Sequence, residues 1–230
     1  MKKRLVVLTG AGISAESGIR TFRDSDGMWE EYRVEDVATP EGFFRDPELV
    51  LNFYNRMRQD LKNHHPNFAH EALAQLENKY DVSIITQNID DLHERAGSSE
   101  VLHLHGELLK ARSIDDENLV VSLPSDSLDI ALGDKAPDGA QLRPHIVWFG
   151  EPVPNIELAI QWVQKADLFL IIGTSLLVYP AAGLVRYVPS GIPIYLIDPK
   201  EVKLPVNTSV NVIQKVASEG MKEFLKMVDD

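Results

Sequence analysis

Residues 6–23 read VVLTGAGISAESGIRTFR, and this stretch decides the fold. The apolar run at residues 5–8 is short and predicts a buried parallel strand. Gly10 and Gly12 follow it at once, and glycine lets the backbone turn tightly and approach a ligand without a Cβ in the way. Residues 14–17 then begin a helix whose unpaired N–H groups favour phosphate. The pattern predicts a phosphate-binding corner, although a strand–turn–helix corner without a ligand has the same pattern.

The residues after the glycines differ from those of an ordinary dehydrogenase. In a standard dinucleotide unit, a helix of several turns leads to a second strand and an acidic residue that holds the ribose. Here Gly18 interrupts the helix early, and residues 20–24, RTFRD, predict a polar loop with one aromatic side chain. We expect that loop to lie where the ribose is normally held. A bound dinucleotide is therefore placed for a reaction other than hydride transfer.

The composition of the 230-residue chain is that of a soluble globular protein, with 44% hydrophobic and 25% charged residues. We expect no secretion and no membrane partner, because neither a signal-like segment nor a long apolar run occurs, and hence a cytoplasmic location. The net charge of −12 opposes nucleic-acid binding and favours a basic partner such as a lysine-bearing protein segment. The absence of cysteine excludes disulfides, thiolate catalysis and cysteine-ligated zinc. The oligomeric state stays open.

Buried strands alternate with helices along the chain, as in α/β proteins with a parallel sheet. We predict strands at residues 5–8, 81–86, 101–106, 167–172 and 194–197. We predict helices at residues 28–32, 47–61, 68–76, 156–165, 180–188 and 219–228. The fold class is therefore α/β, a Rossmann-like parallel sheet with helices on both faces plus a smaller inserted domain.

The region between Arg112 and Leu142 is acidic, turn-rich and without helical period. It predicts an inserted excursion rather than sheet. We assign the Rossmann-like domain to residues 1–26, 62–110 and 143–230, and the small domain, with a helical part and the excursion, to residues 27–61 and 111–142.

Glycine-rich or polar loops follow three of the predicted strands, at residues 10–12, 87–91 and 173–175. Adjacent parallel strands would gather these loops in one crevice, which is where open α/β sheets bind ligands. Asn88 and Asp90 suit ribose hydroxyls and a carboxamide, but capping of the next helix explains them as well.

His105 stands before a glycine at a predicted strand end, and alternation puts it on the same face as His103. A histidine at such a position is a candidate general base near neutral pH, although core and surface histidines are more common.

Several motifs occur in a fixed order along the chain. They are Gly10-Ala11-Gly12-Ile13-Ser14, Gly18-Ile19-x-x-Phe22-Arg23, Gln87-Asn88-Ile89-Asp90, His105-Gly106, Val147-x-Phe149-Gly150-Glu151 and Gly173-Thr174-Ser175. Together they resemble the sirtuin family of NAD-dependent protein-lysine deacylases, from about residue 6 to residue 198. Residues 35–43, EDVATPEGF, are most similar to bacterial class III sirtuins.

The resemblance implies NAD as the cofactor, and His105 and Asn88 as the catalytic residues. The acyl oxygen of a modified lysine would attack the ribose carbon as nicotinamide leaves, and His105 would then be the general base on a ribose hydroxyl. The products would be free lysine, nicotinamide and O-acyl-ADP-ribose. The implied cofactor-binding residues are Gly10, Ala11, Gly12, Ser14, Phe22, Arg23, Gln87, Asn88, Ile89, Asp90, Gly173, Thr174, Ser175 and Asp198.

The implied substrates are acyl-lysine proteins or peptides. By resemblance, residues 148–151 and 176–179 would be two strands between which the peptide adds as a third. The implied substrate-binding residues are Tyr54, Arg58, Met57, Ala38, Val147, Phe149, Gly150, Glu151 and Val178.

The chain departs from the family pattern at three places. The four zinc-binding cysteines are absent, and Ser113 stands near the first, so we expect no metal and an excursion that is held by packing alone or is partly mobile. Asp198 replaces an Asn that contacts the adenosine ribose. Family members that remove succinyl or malonyl groups carry a Tyr-x-x-Arg motif, in which the Arg binds the acyl carboxylate. In this chain the motif begins at Tyr54 and Met57 stands in the place of the Arg, which favours apolar acyl groups. Arg58 either reaches into the pocket instead or faces solvent.

Two other functions remain open alongside deacylation. An NAD hydrolase or ADP-ribosyltransferase on the same scaffold would also begin by releasing nicotinamide. A non-catalytic module that senses NAD or ADP-ribose would need only the binding residues. The retained Asn88, Asp90 and His105 speak against the sensor, and the peptide-binding segments speak against the hydrolase.

Overall fold

The computed structural model describes residues 2–19, 32–204 and 209–228. The predictions on Phe22 and Arg23, and nearly all of the helix predicted at residues 28–32, lie outside the described residues. Within the described part of the chain, no helix is both long enough and apolar enough to cross a membrane.

Six parallel strands form the main sheet, in the order β3-β2-β1-β7-β8-β9. Their bounds are β1 Arg4–Thr9, β2 Asp81–Thr86, β3 Val101–His103, β7 Leu168–Ile172, β8 Ile194–Ile197 and β9 Asn211–Ile213. The predicted Rossmann-like sheet is confirmed. The short strand β9 was not predicted.

Helices cover both faces of this sheet because successive side chains of its strands point to opposite sides. On one face, Leu5 and Val7 of β1 pack against α4 (Phe68–Leu76) and α7 (Ala217–Val228). On the other face, Val6 and Leu8 pack against α6 (Ile156–Val163) and the 3₁₀ helix Ala181–Tyr187. A strand buried on both faces carries an unbroken apolar run, which is why the sequence predicts it.

Side-chain caps fix the two helices whose bounds the sequence predicts best. Asp46 accepts a hydrogen bond from Leu49 N at the start of α3 (Pro47–Leu61), and proline stands at its first turn. Asn67 caps α4 in a reciprocal arrangement with His70. Both helices are confirmed over the predicted residues. The helix predicted at residues 180–188 is a 3₁₀ helix instead.

A second sheet contains three antiparallel strands in the order β5-β4-β6. They are β4 Gly106–Ser113, β5 Val120–Ser122 and β6 Leu142–Ile146. With α1 (Val34–Val37), α2 (Pro40–Arg45) and α3, they enclose a third apolar core. The prediction of an excursion without sheet is therefore wrong at β5, a strand too short and too exposed to show in the sequence.

The strand predicted at residues 101–106 is divided in the structure. β3 ends at His103, and β4 begins at Gly106 with φ of +86°. A Cβ on Gly106 would lie 2.1 Å from His145 O, so only glycine fits where the chain passes from one sheet to the other.

The excursion is packed and hydrogen-bonded without any cysteine. Ile130 is buried, and its backbone N–H and C=O both bond to the side-chain amide of Asn55, at 3.0 Å each. Ser113 Oγ donates to Asp138 Oδ2 at 2.5 Å and accepts from the backbone N–H groups of Asp115 and Asp116. The hydroxyl of Ser113 is thus fully used in local bonds, and a hydroxyl is not among the thiolate, imidazole and carboxylate ligands that zinc takes.

Candidate active site

Three polar loops meet at the carboxyl edge of the neighbouring strands β2, β1 and β7. Gln87 Nε2 donates to Thr174 Oγ1 at 2.9 Å, which joins the β2 loop to the β7 loop. Gly12 N donates to Gly173 O at 2.9 Å, which joins the β1 loop to the same neighbour. The three loops that the sequence indicated therefore meet at this edge, where the crevice is predicted.

The glycines are required by the contact between two of these loops. A Cβ on Gly10 would lie 2.8 Å from Gly173 O, and a Cβ on Gly12 would lie 2.6 Å from Gly173 Cα. Their first role is therefore to let the β1 and β7 loops approach each other. The helix predicted at residues 14–17 is a single 3₁₀ turn, Ala15–Ser17.

Ser14, Asn88 and Asp90 form a buried polar cluster at the centre of the crevice. Ser14 Oγ donates to Asp90 Oδ2 at 3.0 Å and accepts from Asn88 Nδ2 at 3.1 Å. Burial raises the pKa of the Asp90 carboxyl, although hydrogen bonds from Leu92 N and Ser14 oppose this shift. Asp90 Oδ1 also accepts from Leu92 N, the first residue of α5 (Leu92–Ala96), at 3.1 Å, while the N-cap residue Asp91 makes no side-chain cap bond.

Two buried histidines that sequence reasoning missed support this cluster. His70 Nδ1 accepts a hydrogen bond from Asn67 N, so the proton of the neutral ring is on Nε2, which lies 3.5 Å from Ser14 Oγ. Burial lowers the pKa of His70 to about 4, so the ring is neutral at pH 7. The His93 ring packs edge-on at 4.9 Å between centroids, and its Nε2 lies 3.1 Å from Thr9 Oγ1.

This hydrogen-bond network could have been predicted from one feature of the sequence, a threonine at the end of each of two neighbouring strands. Thr9 and Thr86 end β1 and β2 opposite each other, and their hydroxyls are 2.8 Å apart. Thr86 Oγ1 also accepts from Asn88 N at 3.0 Å, so the threonine pair fixes the loop that carries Asn88.

His105 has the protonation state of a general base. Its Nδ1 lies 3.0 Å from the carbonyl oxygen of Gln87, which is only an acceptor, so Nδ1 carries the proton. Burial lowers the pKa of His105 below its usual value, so the ring is neutral near pH 7 and the lone pair is on Nε2. The structure thus places the predicted base next to Gln87 and Asn88, at the edge of the crevice.

The remaining predicted cofactor residues have different surroundings. Asp198 follows β8, its Oδ1 accepts from Lys200 N at 2.8 Å, and burial raises the pKa of its carboxyl. The Ile89 side chain packs against the apolar core of the small sheet, and Ile89 O accepts from Leu108 N at 2.8 Å. Asp198 therefore lies at the carboxyl edge of the main sheet, whereas the Ile89 side chain packs against the third apolar core.

The predicted peptide-binding strands are absent as regular strands: residues 148–151 form a turn and residues 176–179 a series of bends. Neither segment pairs with a strand among the described residues, and the addition of a peptide between them stays a prediction. Phe149 N donates to Ala38 O at 3.0 Å, which ties the first segment to the end of α1. The side chains of Phe149, Leu177 and Tyr179 are exposed by 50%, 63% and 59%.

The side chain of Glu151 is turned inward. Its carboxylate accepts hydrogen bonds from Arg112, from both terminal nitrogens of Arg143 and from Trp148 N. The Arg143 guanidinium in turn stacks on the Trp148 ring, 3.3 Å from the centroid. Glu151 thus holds the turn in shape, so any contact it makes with a peptide comes from its main chain.

The candidate acyl pocket is apolar at its centre. Tyr54 is buried, and its hydroxyl accepts from Trp148 Nε1 at 3.0 Å; burial raises the pKa of this phenol. Ala38 is buried beside them in the same core, and Met57 packs against it while partly buried. Val178, which is half-buried, lies in the second predicted peptide segment, and the half-buried Val147 directly precedes the first.

Arg58 is completely buried, so of the two alternatives for its side chain, exposure to solvent is wrong. Its Nε donates to Leu108 O at 2.7 Å and its Nη1 to Asn55 Oδ1 at 2.6 Å, which explains why a guanidinium is tolerated there. Burial lowers its pKa to about 10, so it stays charged at pH 7. Nη2 is buried without a hydrogen-bond partner among the described residues. Of its three nitrogens, Nε thus holds α3 against β4, and Nη1 is bonded within α3.

The Sir2 family matches residues 10–180. An NAD-dependent protein deacylase from Bacteroides thetaiotaomicron is 57% identical over 229 residues, covering 98% of both chains. One from Helicobacter pylori is 53% identical over 223 residues, covering 97% of this chain and 96% of the relative.

Solved structures match over nearly the full length as well. A Sir2 homologue in complex with NAD has a TM-score of 0.87 and 42% identity, covering 99% of this chain and 90% of that one. A Sir2 protein bound to a propionylated peptide has a TM-score of 0.78 and 30% identity, covering 98% of this chain and 93% of that one.

Proposed function

The chain belongs to the Sir2 family and is an NAD-dependent protein deacylase, and from this premise we propose which of its residues bind and react. The NAD site is the crevice at the carboxyl edge of β2, β1 and β7. Asn88 and His105 carry the chemistry there. The observation that carries this assignment is the buried cluster of Ser14, Asn88 and Asp90 beside a neutral His105.

The donor and acceptor set in the crevice suits a dinucleotide. The backbone of residues 10–12 and 173–175 would take the phosphates, since glycines keep both loops narrow. Asn88 and Gln87 would bind ribose hydroxyls, and Asp90 would accept hydrogen bonds from the carboxamide. Asp198, at the next strand end, would accept from the adenosine ribose. Phe22 and Arg23 are assigned to the cofactor loop on the sequence motif alone.

NAD supplies an electrophilic ribose carbon when its nicotinamide leaves. Nε2 of His105 holds the lone pair that takes a proton from a ribose hydroxyl, while the Gln87 carbonyl keeps the other nitrogen protonated. The lowered pKa keeps this base unprotonated over most of the neutral range, as general-base catalysis requires. Asn88 holds the ribose in reach of that nitrogen.

The protein substrate would lie between residues 148–151 and residues 176–179. Both segments have irregular backbone and exposed apolar side chains, so an extended peptide supplies the strand pairing that they lack. The acylated lysine would enter beside Ala38, Tyr54 and Met57. We propose that acetyl and longer apolar acyl groups are removed at least as well as succinyl, because Met57 is apolar and Arg58 is already bonded to Leu108 and Asn55.

We further propose a cytoplasmic location, supported by the need for NAD. We also propose that the main sheet with its helices is the NAD-binding domain, at residues 1–26, 62–110 and 143–230. Residues 27–61 and 111–142 then contribute the small domain, with β4 running between the two. The acyl-lysine protein is the only macromolecular partner that this assignment needs.

A pair of variants tests the roles within the site. His105→Ala is expected to lower deacylation about 10²–10⁴-fold while NAD binding stays largely intact, because its part is proton removal. Asn88→Ala is expected to weaken NAD binding and slow turnover together. Calorimetric NAD titration and steady-state kinetics separate the two effects. Deacylation within threefold of wild type in His105→Ala would remove it from the mechanism.

A further inference from the structure

A second histidine contacts the loop at residues 87–91, here called the catalytic loop, and has no role in the reaction described above. His103 is 7% exposed, and its Nδ1 lies 2.9 Å from the backbone oxygen of Asn88. Its Nε2 lies 2.8 Å from Glu94 Oε1 on α5. His103 therefore connects a surface carboxylate to the residue that holds the ribose.

The two contacts decide the protonation state of this ring. A carbonyl oxygen and a carboxylate only accept hydrogen bonds, so both ring nitrogens must carry a proton for both contacts to form. Glu94 is 42% exposed, which keeps its carboxylate hydrated and ionised. The hydrogen bond to Glu94 raises the pKa of His103 above its usual value, although burial opposes the shift. His103 is thus an imidazolium, whereas His105 is neutral.

The backbone that carries His103 is held in place. Asn155 Nδ2 donates to His103 O at 2.8 Å, and Leu104 N donates to Thr86 O at 2.9 Å. The imidazolium is therefore a fixed donor against which the Asn88 peptide unit rests. Because the backbone of His103 is held, loss of the ring proton changes the contact with Asn88 O rather than the position of His103.

A cavity of about 600 Å³ beside His103 gives protons a route to the ring. His103 lines this cavity, so its proton can exchange with solvent. The other titratable groups around it are Glu94 and His93 on α5, Glu107, Lys110 and Arg112 on β4, His145 on β6, Asp90 in the catalytic loop and Glu117 in the excursion.

We propose that protonated His103, held by Glu94, is a positioning residue that fixes the Asn88 peptide unit for NAD binding, so that NAD affinity falls when His103 loses its proton. The inference rests on the proposed NAD-binding role of Asn88. A neutral ring carries only one N–H group, so it donates to only one of its two partners. The hydrogen bond to Asn88 O or the hydrogen bond to Glu94 is then lost. Because the pKa of His103 is raised, the contact is complete at low pH and is lost as pH rises through that pKa.

This dependence is opposite in sign to that of the general base. The pKa of His105 is lowered, so His105 becomes active as pH rises and accounts for the acidic limb of the rate profile. His103 accounts for an alkaline fall in kcat/KM for NAD. Two histidines two residues apart thus set the two limits of the working range.

The test measures kcat and KM for NAD from pH 6 to 9, at saturating acetyl-lysine peptide. His103→Leu is expected to raise KM for NAD about tenfold with a smaller change in kcat, as for loss of one charge-assisted hydrogen bond. His103→Asn restores a donor at the place of Nδ1, so KM is expected within about threefold of wild type and without the alkaline fall. Glu94→Gln keeps an oxygen facing Nε2 but removes the charge, and is expected to move the fall to lower pH.

Asp81→Asn, on an exposed pair at the far end of β2, is the control for removing a carboxylate and is expected to match wild type. An unchanged KM in His103→Leu, or a Glu94→Gln profile that overlays wild type, overturns the proposal. If His103→Leu does not fold, Glu94→Gln decides alone. If Asn88→Ala leaves KM for NAD unchanged, the proposed site itself fails. If KM for NAD rises in Asn88→Ala but is unchanged in His103→Leu, only the positioning role of His103 fails.

Discussion

Replacing Glu151 by Gln removes the single anion from a cluster of two buried cations. Arg112 and Arg143 are 6% and 7% exposed at their side chains, and Glu151 is 15% exposed. The shortest of the contacts, from Arg143 Nη1 to Glu151 Oε1, is 2.6 Å. In the variant the two guanidinium groups face each other without a counter-charge, beneath the turn at residues 148–151.

The expected loss is large for one substitution. Breaking a buried ion pair by removing one partner costs about 3–5 kcal/mol. Because the amide still accepts a hydrogen bond, we expect the lower end, about 3 kcal/mol of unfolding free energy, out of a typical total of 5–15 kcal/mol.

The loss also has a defined dependence on pH. Contacts with Arg143 hold the pKa of Glu151 below its usual value of 4.5, although burial acts in the other direction. The advantage of wild type over Glu151→Gln is therefore complete above pH 4.5 and shrinks as pH falls through the lower folded value.

Urea unfolding at pH 7 and pH 4, followed by tryptophan fluorescence, measures this difference. Glu107→Gln is the matched control, because Glu107 pairs with Lys110 on the same sheet while both side chains are about a third exposed. We expect that control to lose less than about 1 kcal/mol. The reasoning is refuted if Glu151→Gln loses no more than Glu107→Gln at pH 7.

Two further predictions concern the departures from the family pattern. The purified protein should contain no stoichiometric zinc and keep its activity in a strong chelator, since the Ser113 hydroxyl is bonded locally; one zinc per chain in elemental analysis would contradict this. In kinetics on acetyl-, butyryl- and succinyl-lysine peptides, Met57→Arg should raise kcat/KM for succinyl about 10–100-fold, the worth of a carboxylate contact. Arg58→Ala should instead lower stability, and a wild-type succinyl preference that disappears in Arg58→Ala would show that Arg58 grips the acyl carboxylate.

The sequence predicts the main sheet because burial on both faces leaves a local signature. An apolar run such as residues 168–172 is typical of a buried strand, and the helices at residues 47–61 and 68–76 carry an apolar face that repeats within a few residues. Gathering three loops at one crevice then follows from strand adjacency. The predictions of the single strands and helices depend only on short-range information.

The elements that the sequence missed depend on distant partners. β5 and β9 are three-residue strands that exist because β4 and β8 lie beside them. Arg58 can be buried because Leu108 O, 50 positions away, accepts a hydrogen bond from its Nε. His70 and His93 meet only when α4 and α5 pack together. The motifs located the crevice, but they did not indicate which buried groups hold its residues in place.

The central claim is that the chain transfers an acyl group from lysine to ADP-ribose at this crevice. Incubation with NAD and a panel of acyl-lysine peptides, with products identified by mass, tests it most directly. Nicotinamide, deacylated peptide and O-acyl-ADP-ribose should appear in equal amounts, and only when peptide is present. Nicotinamide release at the same rate without peptide, with free ADP-ribose as the product, would contradict the account and identify an NAD hydrolase.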